Sequence, residues 1–289
     1  MRLSVGIVVA LLAALVDSPT VGAGASPAAP PSFTLVVCAP GYPGSTEEAQ
    51  PAMDALAAAM SAAAGWKPGE LKAVYFESES AGLERIASAD TALVLSPLPF
   101  WLQRRTALKL EPVMQAVEEG GQAAESWTLV AGAGQVRSAA ALAGFEIISV
   151  AGYAPRFVRG PALGAWGELP RDARITFSNA VLTGLRRASS GAKVAMLLDR
   201  AQAAALPTLP FAARLQAITR SDALPISVLA AVSGRLPAAR LKALISALSS
   251  LATTPAGAEA LAGVRLARFV PAYQAALARA RDAFDRIKE

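Results

Sequence analysis

Histidine is absent from the 289-residue chain, and cysteine occurs once, at Cys38. Without histidine the chain cannot build a Ser-His-Asp or Cys-His catalytic site, and it lacks the commonest zinc ligand. A single cysteine cannot form an internal disulfide. Cys38 lies inside an apolar run with no Lys or Arg beside it, so a buried, inert thiol explains it better than a nucleophile does.

Charged and aromatic residues are also scarce, at 17% and 6% of the chain, whereas 54% of the residues are hydrophobic. This composition excludes disorder for most of the chain, and its many alanines and leucines favour helices. The net charge of +5 is mild and spread out, so we predict no nucleic-acid surface. Acidic residues occur as adjacent pairs, Glu47-Glu48 and Glu118-Glu119, which are typical of solvated faces; we predict no metal site and no cofactor.

Nucleotide-binding loops are missing as well. The stretch "APGYPGS" at 39–45 follows an apolar run and carries Gly41 and Gly44, but no lysine follows them. A P-loop needs that lysine, and a dinucleotide fingerprint needs a third glycine in register. The loop is therefore either a plain turn or the wall of a ligand pocket.

The N-terminus has the form of a secretory signal peptide. Arg2 precedes an apolar run from Val5 to Val16, which is short for a membrane span, and Ala23-Gly24-Ala25 fits a cleavage site. We predict a signal peptide over 1–25 and a flexible leader over 26–31, and hence a periplasmic protein. An uncleaved N-terminal anchor is the alternative.

Apolar runs and helical stretches alternate along the rest of the chain. Strands are predicted at 34–38, 70–76 and 91–96, with helices at 51–64, where Pro51 would occupy the first turn, and at 80–88. This strand–helix alternation predicts a parallel sheet. A second set of strands is predicted at 127–132, 145–152, 173–177, 193–199, 215–219 and 226–232, before a helical C-terminal part.

The two sets of elements echo each other. "LERIASADTALVLSP" (83–97) is similar to "LRRASSGAKVAMLLD" (185–199), and each reads as a helix, a turn and a buried strand that ends at a polar or Pro residue. The similarity suggests two lobes built on one plan.

Candidate ligand contacts lie where the predicted strands end, because open α/β sheets bind ligands at the carboxyl ends of their strands. The junctions carry aromatic side chains for a pocket wall, polar groups, and arginines for an anionic ligand. The ligand-binding residues predicted on this basis are Tyr42, Ser96, Phe100, Tyr153, Arg156 and Asp199.

Several segments resemble the phosphate/phosphonate-binding (PhnD-like) family of periplasmic substrate-binding proteins of ABC transporters. The segments are "VVCAPGYPGS" (36–45), "IASADTALVLSP" (86–97), "WTLVAGAGQVRSAAALAGFEIISV" (127–150), "LPISVLAAVSGRLPAARLKALISAL" (224–248) and "ARFVPAYQAALARARDAF" (267–284). Together they span about 33–287. The resemblance places the Tyr42 loop, Ser96-Pro97, the 152–156 loop and Asp199 at the family's ligand-contact positions.

The resemblance implies a type 2 periplasmic-binding fold: an α/β fold of two lobes with mostly parallel sheets flanked by helices and two hinge crossovers. Lobe 1 would take 32–125 and 225–289, and lobe 2 would take 126–224. It further implies a monomeric, non-enzymatic protein that captures a small anionic, phosphate- or phosphonate-like ligand for an ABC transporter permease. An envelope partner-binding or signalling protein on the same fold is the alternative, and an enzyme on this fold is disfavoured by the missing histidine.

Overall fold

The computed structural model describes residues 32–288, so the predicted signal peptide and leader lie outside the described residues. Its strands are β1 (Phe33–Cys38), β2 (Leu71–Phe76), β3 (Thr91–Pro97), β4 (Leu110–Glu118), β5 (Ala124–Glu125), β6 (Thr128–Gly132), β7 (Glu146–Ser149), β8 (Arg174–Phe177), β9 (Val194–Leu198), β10 (Leu215–Arg220), β11 (Leu224–Pro225), β12 (Ser227–Val232) and β13 (Leu266–Pro271). Its helices are α1 (Thr46–Ala63), α2 (Glu79–Ala87), α3 (Leu98–Arg104), α4 (Pro155–Phe157), α5 (Val181–Ser189), α6 (Arg200–Ala205), α7 (Ala238–Ser250), α8 (Pro255–Gly263) and α9 (Gln274–Asp285). A π-helical turn, Val158–Ala162, follows α4 directly.

The first lobe is built on a six-stranded sheet in the order β13-β4-β12-β3-β1-β2. Strand β1 runs parallel to β2 and β3, whereas β12 and β13 pair antiparallel with their neighbours. Leu35, Leu93 and Leu229 of adjacent strands are buried against Leu56 of α1 and Leu244 of α7. The apolar strands are covered by helices, as a sheet with no solvent-facing side requires.

The second lobe is built on a five-stranded sheet in the order β10-β6-β9-β7-β8. Strand β7 is parallel to β8 and β9, and β6 is antiparallel to β9 and β10. Strand β9, "VAMLL", is buried along its whole length, which explains why it contains no polar residue.

The two sheets follow one plan. In each, two parallel pairs are followed by two antiparallel pairs: β2-β1-β3-β12-β4 in the first sheet and β8-β7-β9-β6-β10 in the second. The segments 83–97 and 185–199, whose sequences echo each other, contribute α2-β3 and α5-β9, which occupy equivalent places.

The chain crosses between the sheets twice, and the crossings pair with each other. Strand β5 carries it from the first sheet to the second, β11 carries it back, and the two form a short antiparallel ribbon with Leu224 opposite Glu125. The two-lobed α/β fold with two crossovers is thus confirmed, and the crossover ribbon is the natural hinge between the lobes.

Three sequence predictions differ from the structure. The sheets are mixed, because each chain crossing returns a strand antiparallel to its neighbours, so mostly parallel sheets were a wrong prediction. Helix α1 begins five residues before Pro51, at Thr46, because Ser45 and Glu48 form a reciprocal capping box that outweighs the missing N–H of an internal proline. The C-terminal part is not purely helical, since β13 inserts beside β4.

Within residues 32–288, no helix is long and apolar enough to cross a membrane.

Candidate functional site

The loop between β1 and α1 brings the lobes into contact. Gly41 adopts a φ of +83°, and a β-carbon there would lie 2.9 Å from Cε2 of Phe177 and 3.4 Å from Cβ of Val150, both in the second lobe. A side chain at this position would meet both backbone strain and the opposing lobe. The first lobe's loop therefore closes directly onto the second lobe through a glycine.

Tyr42, the next residue, reaches the acidic region between the lobes. Burial raises the pKa of its phenol well above the ordinary value, and the negative charges of Asp199 and Glu125 raise it further. The loop is held from beneath by Tyr75, whose hydroxyl donates to the carbonyls of Tyr42 (3.4 Å) and Pro43 (3.2 Å). Tyr42 thus keeps its proton and can act as a hydrogen-bond donor at any physiological pH.

Asp199 comes from the second lobe, at the end of β9. Its side chain caps α6 by accepting the Gln202 N–H at 2.8 Å, and the residue is 5% exposed. Burial raises the pKa of its carboxyl, although the hydrogen bonds from Gln202 and Ala201 oppose this shift. The carboxylate is fixed by the helix cap, so its free oxygen has a defined direction.

Glu125 lies on the hinge strand β5 and is 8% exposed. Its Oε2 accepts the backbone N–H of Arg200 at 3.2 Å. Burial raises the pKa of Glu125 to about 7, and the charges of Asp199 and Glu118 act in the same direction. A buried carboxyl that titrates near neutrality is typical of functional sites and hinges.

Arg200 joins the two lobes at this point. Its guanidinium donates to Oε2 of Glu118, at the end of β4, at 2.8 Å. Glu118 therefore does not belong to a fully solvated pair, as its sequence suggested, whereas Glu119 is exposed. One guanidinium faces three carboxylates (Glu118, Glu125 and Asp199), so this side of the cleft is electronegative.

Tyr153 forms the second aromatic wall. Its ring stands edge-on to Phe177 with centroids 5.9 Å apart. Burial raises the pKa of its hydroxyl well above the usual range, and Cys38 and Glu79 add to this, while a hydrogen bond from the Phe100 backbone opposes it. Tyr153 is also one of the groups that raise the pKa of the Tyr42 phenol.

Ser96 is the penultimate residue of β3 and is 2% exposed. Together with Tyr42 it lines a cavity of about 640 Å³ beneath α1, whose walls are mostly apolar side chains such as Met53, Leu56 and Leu266. Small-molecule sites in proteins have a volume of about 300–1,000 Å³ and are largely apolar, and this cavity fits that description.

Two predicted contacts lie elsewhere. Phe100 has no exposed area and packs in the core, so only its backbone reaches Tyr153. The guanidinium of Arg156 stacks over the ring of Phe284, 4.3 Å from its centroid, and lies 3.7 Å from the Asp285 carboxylate. Arg156 is therefore engaged by residues of the C-terminal helix. The structure does not bring Arg156 to Tyr42, Ser96 or Asp199.

Glu125 and Arg200 were not predicted as site residues from the sequence, and Glu118 was wrongly predicted to be a solvated carboxylate. A carboxylate within a short linker between two apolar runs was the only signal for Glu125. Cys38 is buried, and burial raises the pKa of its thiol to about 12, which agrees with an inert role. Within the described part of the chain, no group of three His, Cys, Asp or Glu side chains could hold a metal ion.

Comparisons with known proteins agree with this geometry. Residues 43–277 match the family described as ABC transporter, phosphonate, periplasmic substrate-binding protein. The comparison with curated proteins returned no match.

Solved structures share the fold at low sequence identity. A Xanthomonas citri protein bound to ATP is 14% identical with a TM-score of 0.66, covering 88% of this chain and 98% of its own. PhnD1 from Prochlorococcus marinus in complex with methylphosphonate is 14% identical with a TM-score of 0.59, covering 88% and 99%. A binding-protein component of an ABC phosphonate transporter from Pseudomonas aeruginosa is 13% identical with a TM-score of 0.57, covering 83% and 82%.

The family match spans most of the chain, and the two-lobed fold with its paired crossovers agrees with it. The chain therefore belongs to the periplasmic substrate-binding proteins of phosphonate ABC transporters and serves as the ligand-capturing component of such a system.

Proposed function

We propose that this protein captures a small phosphonate that also carries a protonated amine, and delivers it to an ABC transporter permease. The observation that carries the proposal is the meeting of Tyr42, from the first lobe, with Asp199, from the second, beside the hinge residue Glu125. The contact set we propose is Tyr42, Ser96, Tyr153 and Asp199, with Glu125 as an addition.

The charge of the cleft supports the amine. Three carboxylates and one already paired guanidinium would repel a ligand that carried only a phosphonate. An ammonium group beside Asp199 and Glu125 would remove that repulsion and lower the pKa of both carboxyls. The hydroxyls of Tyr42, Ser96 and Tyr153 are neutral donors suited to the phosphonate oxygens.

The cavity beneath α1 supports a compact ligand with an apolar carbon chain. Tyr42 and Ser96 line it, and most of its other lining residues are apolar. In this arrangement the polar head groups stay between the lobes while carbon atoms enter the first lobe.

The lobes would close on the ligand as contacts from both sides favour the closed state. We propose the lobe boundaries at 125/126, where β5 ends, and at 224/225, within β11. The N-terminal 1–25 would direct export to the periplasm, and the closed monomer would dock on the permease. No chemical step is assigned, since the family's role is transport.

Thermal-shift measurements against four ligand classes test the proposal: alkylphosphonates, aminoalkylphosphonates, inorganic phosphate and amino acids. We expect the largest rise in melting temperature with an aminoalkylphosphonate. Asp199→Asn keeps the helix cap but removes the charge, so it should abolish the preference for the amine. No shift with any class would refute the proposal.

A further inference from the structure

A second groove, here called the basic groove, lies between α9 and the second-lobe segment 155–171 and ends at the hinge near Leu224. Its volume is about 1610 Å³, well above the roughly 300–1,000 Å³ of small-molecule sites. Tyr42, Ser96 and Asp199 do not line it. The basic groove is therefore separate from the ligand cleft.

Positive charge dominates its lining. Six basic side chains and three acidic ones face it: Arg156, Arg159, Arg171, Arg279, Arg286 and Lys288 against Glu168, Asp222 and Asp282. Arg171, Arg279 and Arg286 are exposed and form no ion pair with any residue in 32–288. Arg279 lies on α9 and Arg286 is its C-cap residue in helical conformation; seven residues apart, they lie on one face, two turns from each other.

The groove floor is built from small residues. Gly160, Gly164, Ala276, Ala280 and Ala283 line it. Gly160 allows α9 to approach closely, because a β-carbon there would lie 2.5 Å from the Ala283 carbonyl oxygen. A floor without long side chains leaves room for a peptide backbone in the groove.

We propose that the basic groove binds an extended acidic segment of a partner protein. The carboxylates of that segment would pair with Arg171, Arg279 and Arg286. The twelve residues of α9 give a wall of about 18 Å, which matches five or six residues of extended chain. A concave groove with opposed walls suits a chain better than it suits a flat membrane.

Fluorescence anisotropy on the full chain tests the proposal, with a fluorescein-labelled peptide of about ten alternating glutamates and glycines. We expect saturable binding that weakens with salt. The triple variant Arg171→Glu, Arg279→Glu and Arg286→Glu should reduce affinity at least about tenfold, which is ~1.4 kcal/mol. The matched control replaces exposed arginines outside the groove: Arg214→Glu, Arg220→Glu and Arg268→Glu.

Equal peptide binding by the groove and control variants would overturn the proposal. The proposal would also be overturned if inorganic triphosphate displaced the labelled peptide at a lower concentration than unlabelled peptide does. That result would indicate a small-anion site. Binding of anionic lipid vesicles without binding of peptide would also overturn it. Ligand-induced thermal shifts in the cleft are read separately, so failure here leaves the transport function untouched.

Discussion

Replacement of Glu125 by glutamine should make the protein more stable at alkaline pH and flatten the pH dependence of its stability. The hinge carboxyl is buried and faces Asp199 and Glu118, with Arg200 as its nearby cation. Its pKa in the folded state is about 7, against an ordinary value of 4.5. Glutamine keeps an oxygen that can accept the Arg200 N–H but carries no charge to bury.

The sign follows from proton linkage. A carboxyl whose folded-state pKa is raised binds more protons in the folded state than in the unfolded state, so it costs stability as pH rises through that range. Each pKa unit is worth about 1.4 kcal/mol, which gives a cost on the order of 3 kcal/mol above about pH 8 and almost none below about pH 4. The wild type should therefore lose stability between these limits, and Asp199, whose pKa is also raised, should add to the loss.

Urea unfolding at several pH values between about pH 5 and about pH 8 measures this directly. We expect Glu125→Gln to raise the unfolding free energy at the alkaline end by roughly 2–3 kcal/mol and to remove most of the slope. Glu119→Gln, at an exposed neighbouring carboxylate, serves as the control and should change neither. A slope in Glu125→Gln equal to that of the wild type would refute the assignment of this carboxyl as the buried titrating group.

Four further changes test individual parts of the account. Asp199→Asn should leave the unfolding free energy within about 0.5 kcal/mol of wild type, whereas Asp199→Ala should lower it by about 1 kcal/mol. The reason is that asparagine preserves the α6 cap and alanine does not, and chemical denaturation measures both variants. Phe100→Ala should cost about 3–5 kcal/mol, since its ring is fully buried in the core, and a loss of ligand affinity without loss of stability would contradict a core role. Gly41→Ala should lower the unfolding free energy by roughly 1–2 kcal/mol, because residue 41 has a left-handed backbone conformation. It should also weaken ligand binding, because the added β-carbon would contact Phe177, and calorimetry measures that effect. Cys38 should resist a thiol reagent in the native protein and react only after unfolding, because its thiol is buried with a pKa of about 12; rapid native labelling would contradict this.

Local patterns were enough to predict much of the fold. The buried strands β1, β3 and β9 are short apolar runs between turn residues, and the helices between them repeat at helical spacing. Strand direction was not available from those patterns. A return strand such as β12 inserts antiparallel between β3 and β4, and its partners are more than a hundred residues away in sequence.

The candidate site could be predicted only in part, for a related reason. Tyr42 lies in the loop after β1, Ser96 lies near the end of β3, and Asp199 directly follows β9, so sheet geometry places each of them at the carboxyl end of a strand in its own sheet. Glu125 and Arg200 become a site only when the hinge ribbon brings β5 beside the end of β9, a long-range contact without a local signature. Arg156 has the chemistry expected of an anion site. Its guanidinium instead contacts the aromatic face of Phe284 and the carboxylate of Asp285, away from Tyr42, Ser96 and Asp199.

Isothermal titration calorimetry with an aminoalkylphosphonate and the alkylphosphonate of equal chain length tests the central claim most directly. The account predicts one saturable site for the amine-bearing ligand, at least about tenfold tighter than for its alkyl counterpart, and loss of that difference in Asp199→Asn. Equal affinity for the two ligands in the wild type, or binding of neither, would contradict it.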